Sequence, residues 1–596
     1  MRRIYGNKIR TMKKGIQDLF KPAAVLILCF ITIQANSQGF LKARGKLIVD
    51  DKGQKVILRG MGLGGWMLQE GYMFRLSNVG QQYKIKAGIQ SLIGPEKTAA
   101  FYDKWLATET RKIDIDSMAS WGFNSIRLPM HYALYTLPVD QEPVAGQNTW
   151  IEKGFALTDS LLKWCAANKM YLILDLHACP GGEGNDLPIS DRDPAKPSLW
   201  QSEANQQKMI ALWRKLAERY ANEPYIGGYD IINEPNWGFD DPKDIRGTNE
   251  KTNAPLKKLM MDITKAIREV DKKHIVIIEG NGFGNNYSSL LPQWDNNMVL
   301  SFHKYGNFNT QGAIQHFLDL SEQYNIPLWM GESGENSNTW FTEAIGLVES
   351  HNIGWSWWQL KKMGINNPLE IKQPANYQQF LDYMGGKGPK PTEDEANVIL
   401  NQLLDNIRLE NEVYHKDVTD AMFRQVQSAK AKPFKANIIT ANTTINAVDY
   451  DLGRQRVAYY DKDTSSYQYT PGVKTQGNRG RAYRNDGVDI EKDADGYHIF
   501  SIEDGEWLQY TVNVKKKGKY TVKVAIASGV NTGKISLSRD GALLGQSVAV
   551  PNTGGEQTWQ AIELKSVDLK AGINALKITA DNGGFNLKSI QFTLDK

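Results

Sequence analysis

The chain has 596 residues, 41% hydrophobic and 23% charged, which is the balance of a globular protein and enough length for two or three domains. Its net charge of +5 is concentrated at the start, where residues 1–21 carry seven basic side chains against Asp18, so the remainder of the chain is slightly acidic. That excludes the broad basic field of a nucleic-acid binder and leaves a neutral polymer as the better-matched partner.

The basic start runs into an apolar segment, residues 23–33 (AAVLILCFITI), and then the polar QANSQ. This is the form of a signal peptide, and the apolar run is too short to span a bilayer comfortably. Residues 1–37 are therefore expected to be removed on export, with Met12 as an alternative start. The mature protein is then secreted, periplasmic or on the cell surface, with no stable membrane span. Cys29 leaves with the leader. Cys165 falls late in a predicted helix and Cys179 just past the next strand, at opposite ends of a βα layer and too far apart for a disulfide. With no companion histidine at metal spacing they also argue against a zinc site.

From residue 57 to about 360, short apolar or β-branched runs alternate with longer amphipathic stretches. The runs are 57–61 (ILRGM), 124–129 (NSIRLP), 171–177 (YLILDLH), 227–234 (GGYDIINE), 274–280 (HIVIIEG), 297–303 (NMVLSFH), 326–332 (IPLWMGE) and 353–358 (IGWSWW). Between them, one helical face carries Met209, Trp213, Leu216 and Tyr220, and another Leu256, Leu259, Met260, Ile263, Ile267 and Val270. Eight buried strands alternating with helices predict an α/β fold, a closed (β/α)8 barrel. Helical, charged sequence over 385–432 closes that domain, which spans 38–432. Residues 430–437 read as a linker. From about 438 the period changes from helical to alternating, with six strand-like runs between 506 and 594 separated by Gly, Asn and Asp turns. This predicts an all-β jelly-roll sandwich over 438–596.

In a parallel barrel the functional groups sit at the C-terminal strand ends. Strand 2 is expected to end in Arg127, strand 3 in His177, strand 4 in Asn233 and Glu234, strand 6 in His303 and Tyr305, strand 7 in Glu332 and strand 8 in Trp357 and Trp358. Two carboxylates across one rim suit glycoside hydrolysis, in which one group protonates the leaving oxygen and the other acts ionised. Among the neighbours, Glu335 ranks as a cleft or surface carboxylate and Asp175 as structural. Glu279 stands evenly between a binding residue and a structural charge. His131 and Trp66 are open between cleft lining and core.

The segments IRLP, LDLH, YDIINEP, HKY, WMGESGE and WSWWQLK, in that chain order, resemble glycoside hydrolase family 5, and the opening ILRGMGLGGWMLQEG resembles its exo-glucanase and cellulase-like branch. The likeness covers about residues 40–370. It implies a retaining mechanism with Glu234 as acid/base and Glu332 as nucleophile. It further implies that Asn233 binds the sugar 2-hydroxyl, Arg127 and Tyr305 hold the nucleophile, His177 and His303 bind substrate, and Trp358 is the strand-8 tryptophan.

The segments 483–491 (YRNDGVDIE), 505–514 (GEWLQYTVNV), 538–560 and 584–592 (GFNLKSIQF) resemble a family 6 carbohydrate-binding module. The likeness implies sugar contacts from Trp559 and Asn586. It lacks the second aromatic, since Ser501 stands there. The structural calcium of the family loses its early Glu, since INAVDY has Val448 at that position.

The function expected is a secreted retaining β-glycosidase on a poly- or oligosaccharide, with β-glucan favoured by the opening segment, acting as a monomer and needing no cofactor for catalysis. β-1,4-, β-1,3- and β-1,6-glucan and mannan stay open, as does exo against endo action, because loop shape rather than the carboxyl pair sets these. A non-catalytic polysaccharide-capture protein and a transglycosylase are the alternatives. The insertions over 68–105 and 181–200 are expected to shape the cleft.

Overall fold

A computed structural model describes residues 39–241 and 243–596. The leader expected over residues 1–37 lies outside the described residues.

Eight parallel strands close a barrel: β1 (Arg59–Gly62), β2 (Ser125–His131), β3 (Tyr171–Ala178), β4 (Ile226–Asp230), β5 (Val276–Ile278), β6 (Met298–Lys304), β7 (Leu328–Gly334) and β8 (Gly354–Trp358), with β8 pairing β1. Each coincides with one of the eight apolar runs. Their side chains follow the two-residue period of a strand. In β3, Leu172, Leu174 and Leu176 point outward into the main core against the helices, while Tyr171 and Ile173 pack in the lumen with Leu58, Ile275, Ile277, Val299 and Trp329. The hairpin Lys42–Arg44 and Leu47–Val49 lies below, with Leu41 and Ile48 in that same lumen cluster. The lower half of the lumen is thus a solid apolar plug.

The same inward parity changes chemistry higher up. Above Ile173 come Asp175 and His177; above Val299 come Ser301 and His303; above Ile277 comes Glu279. The apolar plug forms the floor on which these polar groups stand. The helices outside bury the faces their period predicts. Met209, Trp213, Leu216 and Tyr220 of Glu203–Tyr220 are fully buried, as are Leu256, Leu259, Met260, Ile263 and Ile267 of Ala254–Val270.

Two strand ends differ from expectation. β2 runs on to His131, so Arg127 sits mid-strand, deep in the lumen, because Leu128 and Met130 continue the outward apolar parity past it. β4 stops at Asp230, and Asn233 and Glu234 stand above the sheet on the segment that leaves it.

Residues from 437 on form two packed sheets. One runs Asn437–Ile439, Trp507–Val514, Gly572–Asn582, Lys534–Arg539; the other Ile490–Asp493, Gly496–Ile499, Asn586–Leu594, Gly518–Ser528, Gly555–Leu569. The alternation is clean: Leu508, Tyr510, Val512 and Val514 face a common core with Val522, Val524, Ile526, Ile578 and Ile590. The expected linker is not free chain. Lys432 exchanges backbone hydrogen bonds with Leu452 of the sandwich at 2.9 and 2.7 Å.

The barrel and the sandwich meet through buried polar groups. Asn338 Nδ2 donates to Asp417 Oδ2 (2.8 Å) and Asp486 Oδ1 (3.2 Å), and Asn485 Nδ2 donates to the Asn336 carbonyl (2.8 Å) and to Asn338 Oδ1 (3.2 Å). A buried polar group left without its partner costs roughly 1–3 kcal/mol. Asn485→Ala is therefore expected to lower unfolding free energy by about that amount, read by urea denaturation; an unchanged midpoint would mean that water takes over these bonds.

Candidate active site

Arg127 is the centre of the rim. Its guanidinium is fully buried. Nε donates to Asp230 Oδ2 (2.9 Å), Nη1 to Glu332 Oε2 (2.8 Å) and Nη2 to Asn233 Oδ1 (2.7 Å), and Asp175 Oδ2 lies 3.2 Å from Nη1. Burial works against its charge, but Asp175, Asp230, Glu332 and Glu279 outweigh that and raise its pKa.

Because Asn233 Oδ1 takes the arginine, its Nδ2 points to His177 Nε2 at 3.1 Å. His177 Nε2 is then an acceptor, and the ring proton sits on Nδ1, facing Asp175 Oδ2 at 2.8 Å. This is the neutral tautomer, fixed by its two partners. The His177 ring lies parallel to Trp358, centroids 5.0 Å apart at an interplanar angle of 1°. Trp358 is only 3% exposed, with its Nε1 donating to Tyr72 Oη (2.8 Å). Gly62 and Gly64 leave room for that ring, since a Cβ on either would come within 2.8 Å of it.

Glu332, on β7, accepts from both sides: Arg127 on Oε2 and Tyr305 Oη on Oε1 (2.7 Å). Glu234 Oε1 lies 2.5 Å from His303 Nδ1. One oxygen of Glu234, one of Glu332 and a ring nitrogen of His303 lie within 4.8 Å of one another. Burial lowers the pKa of His303, but Glu279, Glu332 and Glu234 around it raise it well above the usual histidine value. Such a trio has metal-binding residue types, but the Arg127 guanidinium 2.8 Å from Glu332 already supplies the positive charge there.

All six barrel residues expected around Glu234 and Glu332 thus converge. Asp175 is structural in the sense of tying His177 and Arg127 together. Glu279 is a buried carboxyl group behind His303, 3.4 Å from Nε2, with its own pKa raised by burial first. Glu335 is a cleft carboxylate paired with Lys362 Nζ at 2.6 Å. Trp357 packs in the wall with Trp340, Phe341 and Trp355, and Trp66 is core, its Nε1 on the Leu106 carbonyl. His131 turns to Asp191 (3.1 Å), which also accepts from the Tyr83 backbone (2.9 Å), so the two insertions are joined to each other beside the cleft.

The sequence reading missed Glu70, Tyr72 and Asp230. Glu70 is buried, and burial first, then Glu332, Glu335 and Glu234, raise its pKa well above the usual carboxylate range. Both Glu70 and Tyr72 lie on the loop after β1, and the rule that βα loops build the rim points to them.

Cys165 and Cys179 are both buried and free, and Cys179 Sγ donates to Glu183 Oε2 at 3.0 Å. In the sandwich, the Trp559 ring meets His498 edge-on (5.0 Å) with the Lys588 ammonium above it (4.8 Å), and Asn586 spends its amide on the Glu556 carbonyl (2.8 Å). Ser501 accepts from Arg479 (2.9 Å). Asn586 pairs with Ala527, and Gln560, next to Trp559, pairs with Ile526, so the two residues lie on strands that flank the same stretch of Gly518–Ser528. Val448 is buried and apolar, and the carboxylate beside it, Asp449, holds Lys435 Nζ at 3.0 Å. Calcium takes six to eight oxygens, and this apolar, lysine-neutralised position does not fit it.

Removing one member of a buried ion network strands the others, at about 3–5 kcal/mol. Arg127→Met is expected to destabilise the barrel by about that amount in urea unfolding; a loss below about 1 kcal/mol would mean the carboxylates readily protonate or hydrate instead.

Both parts of the chain are similar to known proteins. The model of cellulase, glycosyl hydrolase family 5, matches residues 85–364, and that of carbohydrate binding module family 6 matches residues 481–594. A beta-xylosidase of Phanerodontia chrysosporium is 26% identical over 64% of this chain and 85% of its own. Endoglucanase C of Acetivibrio thermocellus is 28% identical over 44% of this chain and 88% of its own. A glucan 1,3-beta-glucosidase of Blumeria graminis is 27% identical over 44% of this chain and 58% of its own. The barrel of this chain belongs to glycosyl hydrolase family 5, and a family 6 carbohydrate binding module follows it.

Proposed function

We propose that the protein is a secreted retaining β-glycoside hydrolase that cleaves β-linked glucans by double displacement, with Glu234 as acid/base and Glu332 as nucleophile. The observation that carries the reading is the approach of the two carboxyl groups, an oxygen of each lying within 4.8 Å of the other. Single displacement needs room for a water between groups roughly 6.5–9.5 Å apart, whereas direct attack needs them close.

The hydrogen bonds divide the labour. Arg127 and Tyr305 each occupy one lone pair of a Glu332 oxygen, leaving lone pairs for the anomeric carbon. Oε1 of Glu234 faces His303, so Oε2 is the oxygen that carries the proton to the leaving group. As the Glu332 oxygen bonds to the anomeric carbon, the glycosidic bond breaks and its oxygen takes the Glu234 proton. In the second half Glu234 takes a proton from water, whose oxygen displaces Glu332. His177 and Asn233 line the same pocket as hydroxyl partners, and Trp358 supplies an apolar wall. The carboxyl pair does both the proton transfer and the attack, so the reading calls for no cofactor. It also takes the protein as a monomer exported by its leader; among the described residues no helix is long and apolar enough to cross a membrane.

β-Glucan is favoured because two of the relatives above carry glucanase or glucosidase names. Mannan and xyloside substrates are the competitors, the latter because the first relative is named a xylosidase. Incubating the protein from Gln38 onward with a panel of β-glucans, mannans and xylosides, and chromatographing the products, decides linkage and exo or endo action. Glu332→Gln is expected to abolish cleavage, and Glu234→Gln to slow it by about 10²–10⁴-fold. Azide is expected to rescue a Glu234→Ala variant on an activated aryl glycoside, giving a glycosyl azide of retained configuration. An inverted product sinks the double displacement. Polysaccharide binding with no cleavage anywhere on the panel replaces hydrolysis by capture.

A further inference from the structure

The sandwich domain reaches back to the barrel's rim. Between its strand Tyr459–Tyr460 and the segment at 480, a loop over 463–477 is closed by a bridge between Ser466 and Gln476 and by Asp463, which accepts from the backbones of Gln476 and Gly477. Residues 365–480 lie outside both family matches. Asn336, just past Glu335, clamps the loop in both directions: Nδ2 donates to the Ser466 carbonyl (2.7 Å), and Oδ1 accepts from the Ser466 backbone (3.0 Å). Ser465 Oγ meets Ser337 Oγ at 2.8 Å in a buried contact, and Tyr467 packs on Phe308.

The loop's tip carries Tyr469. Its backbone N–H donates to the Gly306 carbonyl at 2.9 Å. Gly306 directly follows Tyr305, which holds Glu332, and it sits at φ +48°; a Cβ there would stand 2.9 Å from Tyr469 Cδ2. The missing side chain lets the ring lie against the rim. Yet the Tyr469 side chain is not spent on packing, since the residue is 65% exposed. Partial burial and then the charges of Glu335, Glu234 and Asp186 raise the pKa of its phenol, which places it within the field of the cleft.

A single exposed aromatic on a surface is ordinary. This one differs because it is held rigidly on a loop of one domain at the mouth of a site made by the other, beside the strand end that carries His303 against Glu234. Rigid tyrosine faces suit the apolar face of a sugar ring, with no ordering cost at binding. The side of the cleft follows from Glu234: the residue that protonates the leaving oxygen marks where the leaving sugar lies.

We propose that Tyr469 is the binding face for the leaving-group sugar, so that the substrate site is completed by a residue of the sandwich domain. This rests on the glycosidase reading above. Its test uses the full-length protein and two probes: a β-gluco-tetrasaccharide, cellotetraose or laminaritetraose, and β-glucosyl fluoride, whose leaving group offers no ring. Tyr469→Ala is expected to lower the ratio of kcat/KM for tetrasaccharide over fluoride about tenfold, mainly through KM, as the loss of one stacked ring would. Tyr469→Phe is expected to restore the ratio, because the face and not the hydroxyl is used. An unchanged ratio in Tyr469→Ala overturns the inference, and so does an equal fall on both probes, which would mean that the loop acts through Tyr305. If the wild type turns over neither probe, the glycosidase reading on glucans fails first and the inference with it.

Discussion

One buried guanidinium organises the site. Arg127 lies at the level where the lumen turns from apolar plug to polar floor, and it touches Asp175 on β3, Asp230 on β4, Asn233 above β4 and Glu332 on β7. An arginine does this where a lysine would not, because its planar fork presents five donors at fixed angles. Each contact sets the next. Asn233 held by Oδ1 must turn its amide to His177, and His177 held by Asp175 must keep its proton on Nδ1. The orientation of three residues therefore follows from one cation.

Much of this was legible in the residues because a barrel strand has a two-residue period. Leu172, Leu174 and Leu176 announce an outward face, so Asp175 and His177 must point in. Chain order then put Glu234 and Glu332 on the same rim. What stayed hidden depends on loop paths rather than periods. Glu70 and Tyr72 arrive from the loop after β1, where no period marks an inward residue. Arg127 sits lower than its place at the end of a short run suggested, since His131 extends β2. In the sandwich, alternation located the strands, but the side chains of Trp559 and Asn586 turn to His498, Lys588 and Glu556, which no strand period specifies.

The join between the domains has its own logic. An apolar join would have left exposed patches on each half before docking, prone to association. Here the contact is made by Asn336, Asn338, Asp417, Asn485 and Asp486, buried and bonded to one another. Polar groups in a dry interface are costly unless matched, so they specify one docking geometry rather than a range. The segment YRNDG that helps mark the module in the sequence is the segment that docks it: Asn485 and Asp486 face the barrel, while Arg484 is sealed behind them against Asp486 and the Tyr450 ring.

The charge inventory of the floor fits the chemistry of a glycosidase better than it fits simple binding of a neutral sugar. Asp175, Asp230, Glu234, Glu279 and Glu332 are all buried, and the cations among them are Arg127 and His303. Among the described residues neither oxygen of Glu279 has a full hydrogen bond, His303 Nε2 lying 3.4 Å from Oε1. Burial raises Asp230 and Glu279 towards the neutral form, while the surrounding acids raise His303 towards the charged one. A pocket for a neutral ring gains nothing from such crowding, which costs stability through desolvation. A transition state with oxocarbenium character, however, carries positive charge at the ring, and on the proposed mechanism the carboxyl group that Arg127 and Tyr305 hold, Glu332, opposes that charge without reorganising.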